Sequence, residues 1–238
     1  MTEKILIGWQ KQPNKLNIQG TIEQAINRIT GEEVKLDASG RTDAGVHSLG
    51  QVANFKTNSK LPIEKFPLAI NANLKQSIRI ISAEEVDERF HSRLACKQKT
   101  YRYVINNSEF SSAIYRNLET HIPQKLNVEK MKEAAKYFEG EHDFKAFKAS
   151  GTSSKSSVRT IYKAEVIDAP NNRIYIELTG SGFLYNMVRI ISGTLVDVGT
   201  EKIKPEDIKN IIESKDRTLA GKTLPPNGLF LVDVKYDN

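Results

Sequence analysis

The chain carries one succession of hydrophobic patterns twice, and that order limits its fold more than any single motif does. In the first half, residues 4–9 read as a strand and a helix follows from Thr21. Strand-like runs come at 34–37 and 51–55, a helical segment lies within 63–74, and residues 77–84 close the half as a strand. Thr21-Ile22-Glu23-Gln24 has capping-box spacing, Gly31 is the stop signal, and Pro67 breaks or delays the second helix. In the second half, residues 100–105 alternate as a strand. A helix begins near Asn127, with Val128, Met131, Ala135 and Phe138 on one face, and Gly140 ends it. Runs at 158–167 and 173–178 flank Asn171-Asn172, a hairpin signal. An apolar helix covers 183–195, Pro205 opens another with Ile208, Ile211 and Ile212, and residues 229–236 end the chain as a strand.

Each half therefore reads approximately β-α-β-β-α-β. The order predicts an α+β protein built of two ferredoxin-like (RRM-like) halves, 1–95 and 96–238. Each would carry a mixed, mostly antiparallel sheet with helices on one side, leaving a central active-site cleft. No sequence repeat relates the halves, so the duplication is one of architecture. With 238 residues, of which 39% are hydrophobic, the chain has enough apolar material to bury a core.

Between two of the first-half strands lies Gly40-Arg41-Thr42-Asp43-Ala44-Gly45-Val46-His47. It sets a guanidinium, a hydroxyl, a carboxylate and an imidazole in one loop between two glycines, which let the backbone approach a partner closely or turn through positive φ. An Asp close to Gly often only closes a turn. Here Arg41 stands two residues away, able to orient a carboxylate or grip a phosphate. A carboxylate so placed can attack an anomeric or an activated ring carbon without a metal. His47 has no HxxxH or HExxH company, so a metal site is not indicated and structural hydrogen bonds are its expected role.

Other motifs carry two readings each. Tyr101 and Tyr103 share one face of an alternating strand, with Arg102 on the other: either a core pair or an aromatic platform for a base, backed by Lys97 and Lys99. Arg189 sits amid Met187, Val188, Ile190 and Ile191, where it either snorkels outward or pairs with an acid such as Asp43. Gly221-Lys222-Thr223 mimics a P-loop, but Asp216 stands where the first glycine must be. Residues 150–157 form a Ser-rich surface loop. Cys96 is the only cysteine, which excludes an internal disulfide and a multi-thiolate metal site. The net charge of +6 suits a polyanionic partner or a merely basic enzyme. With no signal-like or spanning segment, the expectation is a cytoplasmic protein with no membrane partner.

At this point the motifs resemble one family. The Gly40–His47 block, followed by Gly50-Gln51-Val52, resembles the signature of the bacterial tRNA pseudouridine synthase A (TruA) family. Further blocks agree in order: Gly8-Trp9-Gln10, Asn71-Ala72-Asn73-Leu74, Phe90-His91-Ser92-Arg93, Tyr101-Arg102-Tyr103, Asp143-Phe144 with Phe147, Gly182 through Arg189, and Gly228-Leu229. The resemblance implies an isomerase that converts uridine to pseudouridine at positions 38, 39 and 40 of the tRNA anticodon stem-loop. It implies a homodimer in which one tRNA contacts both subunits, no DNA partner, and no organic cofactor or metal. By motif, Asp43 would be the nucleophile, Tyr101 would stack on the target uracil, Arg189 would pair with Asp43, and Arg41 would help extrude the base. Attack at C1′, attack at ring C6 and elimination at the sugar are all open to Asp43. The other reading of the same charge and element order is a tRNA-binding or folding protein without catalysis. One departure is visible: family members carry an aromatic-Asp-Gly segment before Gly-Trp-Gln, whereas here Ile7 runs directly into Gly8. That segment's RNA contacts are therefore not implied for this chain.

Overall fold

Residues 8–11, 16–151 and 156–237 are described by a computed structural model. Most of the strand expected at 4–9 and half of the Ser-rich patch lie outside these residues. The chain divides into two units. The first takes in residues 1–45 and 51–96, and the second 46–50 and 97–238.

In chain order, the first elements are α1 (Ile18–Thr30), β1 (Asp37–Ala38), β2 (His47–Ser48), β3 (Ala53–Asn54) and α2 (Phe66–Ala72). Helix α1 starts three residues before the expected Thr21. The Asn17 side chain captures the Gly20 amide at 2.8 Å, so Asn17 is the cap. Thr21, inside the first turn, donates its hydroxyl back to the Asn17 carbonyl. Gly31 ends the helix as expected, at φ 75° with its N–H on the Asn27 carbonyl. Ile22, Ala25 and Ile26 pack with Trp9, Leu36, Phe66, Ile70 and Ile78 as the core of this unit. Glu23 is buried beside them, and its carboxylate accepts from the Leu36 amide, from Gln19 and from Lys11. Those donors offset the cost of taking a carboxylate out of water.

Strands in this unit are short, β1 pairing antiparallel with β3. The strand expected at 77–84 does not form. Asn71 takes the place of a neighbouring strand: its Oδ1 accepts the Ile80 N–H and its Nδ2 donates to the Ile80 carbonyl, both at 2.8 Å. One side chain thus satisfies backbone groups that a sheet ladder would otherwise hold.

The second unit contains β2 and then β4 (Gln98–Asn106), β5 (Thr120–His121), α3 (Val128–Lys136), β6 (Gly140–Asp143), β7 (Val158–Ala169), β8 (Arg173–Gly180), α4 (Met187–Gly199), α5 (Asp207–Ser214) and β9 (Leu229–Lys235). Its seven-stranded sheet runs β2-β9-β4-β8-β7-β6, with β5 also on β4. Pairing is antiparallel except for β2 on β9 and β5 on β4, so the sheet is mixed and mostly antiparallel. Asn171 and Asn172 both take positive φ, 61° and 53°, the geometry of a two-residue hairpin turn between β7 and β8. Alternate residues of β4, β7 and β8 (Tyr103, Ile105, Val166, Ile176, Leu178) meet Met131, Phe138, Met187, Ile191 and Leu195 in one core. The four long strands β4, β7, β8 and β9 and the helices α3 and α4 follow the expected succession. The first unit shows no matching sheet among its described residues, so a pair of like halves is not established.

Helix α4 begins at Met187, four residues later than its apolar pattern suggests. Asn186 adopts a left-handed conformation at φ 59°, which breaks the helix on its N-terminal side.

Candidate active site

Asp43 lies half-buried in the loop between β1 and β2, after buried Thr42 and exposed Arg41. The loop rests on the start of the described chain. Gly8, at φ +67°, packs so closely that a Cβ there would stand 2.7 Å from the Thr42 carbonyl oxygen and 3.1 Å from the Asp43 carbonyl carbon. The Trp9 N–H donates to that Thr42 oxygen at 3.0 Å. The Gly8 and Trp9 carbonyls in turn accept the Ile18 and Gln19 amides, two of the orphan donors at the start of α1. The loop is therefore tied through Gly8-Trp9 to a helix end.

Its near side is braced as well. Gln51 donates to the Gly40 carbonyl at 2.8 Å and accepts from the Ser39 hydroxyl at 2.6 Å, while the Ser39 N–H reaches the Val52 carbonyl. Ser92, fully buried, donates its hydroxyl to the Asp37 carbonyl and its amide hydrogen-bonds Asn54. Of the two glycines flanking the motif, Gly45 takes the positive φ, 81°. His47 belongs to β2 in the second unit. Its Nε2 is 2.7 Å from the Asn117 carbonyl oxygen and its ring stacks on Phe230 at 4.8 Å.

Tyr101 and Arg189 both stand in the second unit. Tyr101 is half-buried on β4, and the Phe183 ring meets it edge-on, centroids 5.2 Å apart at 84°. Two residues further on the same face, Tyr103 is fully buried. Its hydroxyl engages Thr120 at 2.6 Å and donates to the Pro225 carbonyl at 2.7 Å. Burial pushes the Tyr103 hydroxyl's pKa well above its ordinary value, so it stays a neutral donor.

Arg189 occupies the first turn of α4, half-buried between buried Val188 and Ile190. Its Nε donates to the Leu224 carbonyl at 2.6 Å and one terminal nitrogen donates to Asn186 Oδ1 at 2.7 Å. The Leu224 N–H returns a bond to the Arg189 carbonyl at 3.3 Å. The segment before Leu224 lies on α4 by way of glycines. A Cβ on Gly193 would fall on the Lys222 carbonyl oxygen, and the Gly221 N–H donates to Thr194 at 2.9 Å. The structure thus brings Tyr101, Phe183, Asn186, Arg189 and Leu224 into one unit, with Arg41 and Asp43 in the other.

The profile of the family described as tRNA pseudouridine synthase matches residues 7–93 and 134–237. The tRNA pseudouridine synthase A of Caldicellulosiruptor saccharolyticus is 56% identical over 229 residues, covering 96% of this chain and 93% of its own. Those of Thermoanaerobacter pseudethanolicus and Acetivibrio thermocellus are 50% and 51% identical with the same coverage. The chain belongs to the tRNA pseudouridine synthase family. The family's enzymes are isomerases that convert uridine to pseudouridine. Several residues that shape this family member's candidate site have roles that the sequence alone does not reveal. Ser39 and Gln51, the latter opening the run at 51–55 and part of the Gly50-Gln51-Val52 block, hold the start of the Asp43 loop. Asn186 falls inside the apolar helix expected over 183–195, but it precedes α4, makes no capping bond and turns its side chain to Arg189. Gly221, the centre of the false P-loop, serves the packing of its segment on α4. Among the described residues, no helix is long and apolar enough to cross a membrane.

Proposed function

We propose that this chain isomerises uridine to pseudouridine at positions 38, 39 and 40 of the tRNA anticodon stem-loop, with Asp43 as nucleophile. Family membership across nearly the whole chain carries the reading. It is supported by the position of Asp43, a carboxylate on a loop braced by Gly8 and by Gln51. The reaction breaks the N1–C1′ bond and forms a C5–C1′ bond, with C5 giving up its proton and N1 gaining one. The uracil has to turn in place between the two events. Tyr101, steadied by Phe183, offers it a face that tolerates in-plane rotation and holds it by about 1–3 kcal/mol of stacking.

Arg189 acts as the cationic partner that keeps Asp43 ionised and aimed. Arg41, exposed beside it, assists extrusion of the target base or fills its place. The scheme draws on no organic cofactor and no metal. The protein works as a cytoplasmic homodimer in which one tRNA contacts both subunits, and the net charge of +6 favours that polyanion. Tritium release from tRNA labelled at uridine C5 tests the reading. Asp43→Asn is expected to lower turnover about a thousandfold or more while tRNA binding is kept. Full activity in Asp43→Asn would sink the nucleophile. A parent protein that binds tRNA but releases no tritium would be a binding protein instead.

A further inference from the structure

The helix dipole by itself does not favour a cation where Arg189 stands. Arg189 is the third residue of a 13-residue helix, at the end where the helix dipole is positive, and it is half-buried among apolar neighbours. A long, flexible cation in such a place keeps one direction only if acceptors hold it. Two neutral acceptors do so here from two directions. The Leu224 carbonyl takes Nε at 2.6 Å, and Asn186 Oδ1 takes a terminal nitrogen at 2.7 Å. A guanidinium is planar, so bonds at two of its nitrogens fix both its plane and its heading.

The Leu224 carbonyl is itself immobilised. Leu224 bonds back to the Arg189 carbonyl, and the next carbonyl, that of Pro225, is held by the buried Tyr103 hydroxyl. Asn186 takes φ 59°, in the left-handed region that Gly occupies without penalty and that Asn adopts more readily than most side chains. In return, Asn186 gives α4 no cap: its side chain bonds no amide of the first turn. A side chain at the helix start that accepts from the arginine, and not from the helix amides, serves the arginine's orientation more directly than helix stability.

We propose that Asn186 is a positioning residue that sets the direction of the Arg189 guanidinium for the isomerisation. The inference rests on the proposed function, because Arg189 matters to turnover only if it serves the reacting carboxylate.

Two substitutions separate positioning from structure. Asn186→Gly removes the acceptor and relieves the backbone. Asn186→Ala removes the same acceptor and puts in the left-handed region a side chain that tolerates it less well than Asn. Both are expected to lower kcat about ten- to a hundredfold in tritium release from C5-labelled tRNA, with KM for tRNA unchanged. Their melting temperatures should diverge: Asn186→Gly within about 3 °C of the parent, Asn186→Ala below it. A kcat equal to the parent's in Asn186→Gly overturns the proposal. So does a loss that lies in KM, or a kcat that follows the melting temperature across the two variants. The parent and Asp43→Asn are run beside them. An inactive parent, or a fully active Asp43→Asn, refutes the underlying reading, whereas an active parent with an equally active Asn186→Gly refutes only the role of Asn186.

Discussion

Asp143 shows what single side chains contribute away from the reaction. Its carboxylate caps the 3-10 turn Phe144–Phe147 through the Lys145 amide, accepts from the Ser157 hydroxyl, and pairs with Lys215 at 2.9 Å. The Ser157 bond first, then the Lys215 contact, holds its pKa below the usual carboxylate range. A depressed folded-state pKa means that folding favours the ionised form. The stabilisation is present above the unfolded carboxylate pKa and is lost as pH falls through the folded one. Urea unfolding measured from pH 6 down to pH 2 should therefore show a shallower acid loss in Asp143→Asn than in the parent, and a lower stability at pH 6. An identical acid limb would remove Asp143 from that balance. The residues that the sequence made legible are those whose role is set by immediate neighbours. Gly31 stops a helix, Asn171 and Asn172 turn a hairpin, and Gly45 turns the Asp43 loop. The roles of Asn17, Asn71 and Asn186 are not legible, because an Asn gives no hint of which backbone or side chain it will bind. The choice was settled by partners at Gly20, Ile80 and Arg189.

At the scale of elements, the placement of Arg189 depends on two segments lying in contact, α4 and the stretch ending at Leu224. Gly193 and Gly221 permit that contact, since a side chain on either would meet backbone and not a yielding side chain. Gly193→Ala is expected to destabilise the protein by about 3 kcal/mol, the upper part of the range for overpacking. It should also lower turnover beyond the loss of folded protein, because it pushes the Leu224 carbonyl off the Arg189 Nε. Denaturant unfolding and turnover per folded molecule check the two parts, and an unaltered midpoint would show that the segment yields at no cost. Long strands such as β4 and β7 were legible from alternation, because one sheet face packs against helices. The two-residue strands were not, since β1, β2 and β3 are too short for a period to show. The run at 77–84 alternated like a strand, yet its backbone is served at Ile80 by Asn71, which no periodicity reveals. In the candidate site, the motifs singled out Asp43, Tyr101 and Arg189, while groups that hold them, such as the Leu224 carbonyl on Arg189 and Gly8 under the Asp43 loop, lie far off in sequence.

Across the whole molecule, the chain leaves the first unit after Gly45, returns at Gln51, and crosses again after Cys96. A cut at the last crossing does not separate two complete pieces. A fragment of residues 97–238 lacks β2, which pairs with β9 at Phe230 and Leu231, and so bares the outer edge of β9. Exposed strand edges recruit other chains. Light scattering of that fragment is expected to show self-association, and a fragment prolonged by a tethered copy of residues 46–50 should show less. A fragment that stays monomeric at high concentration would mean that β2 protects nothing. The same pairing has a consequence in time. Ser48 meets the Leu231 carbonyl across 183 residues of sequence, so on a ribosome the loop bearing Asp43 emerges long before the strand that fastens its far end. Nascent or prematurely terminated chains that stop short of β9 would carry the proposed nucleophile on an unfastened loop, and completion of the last strand becomes the moment at which the enzyme can first turn over.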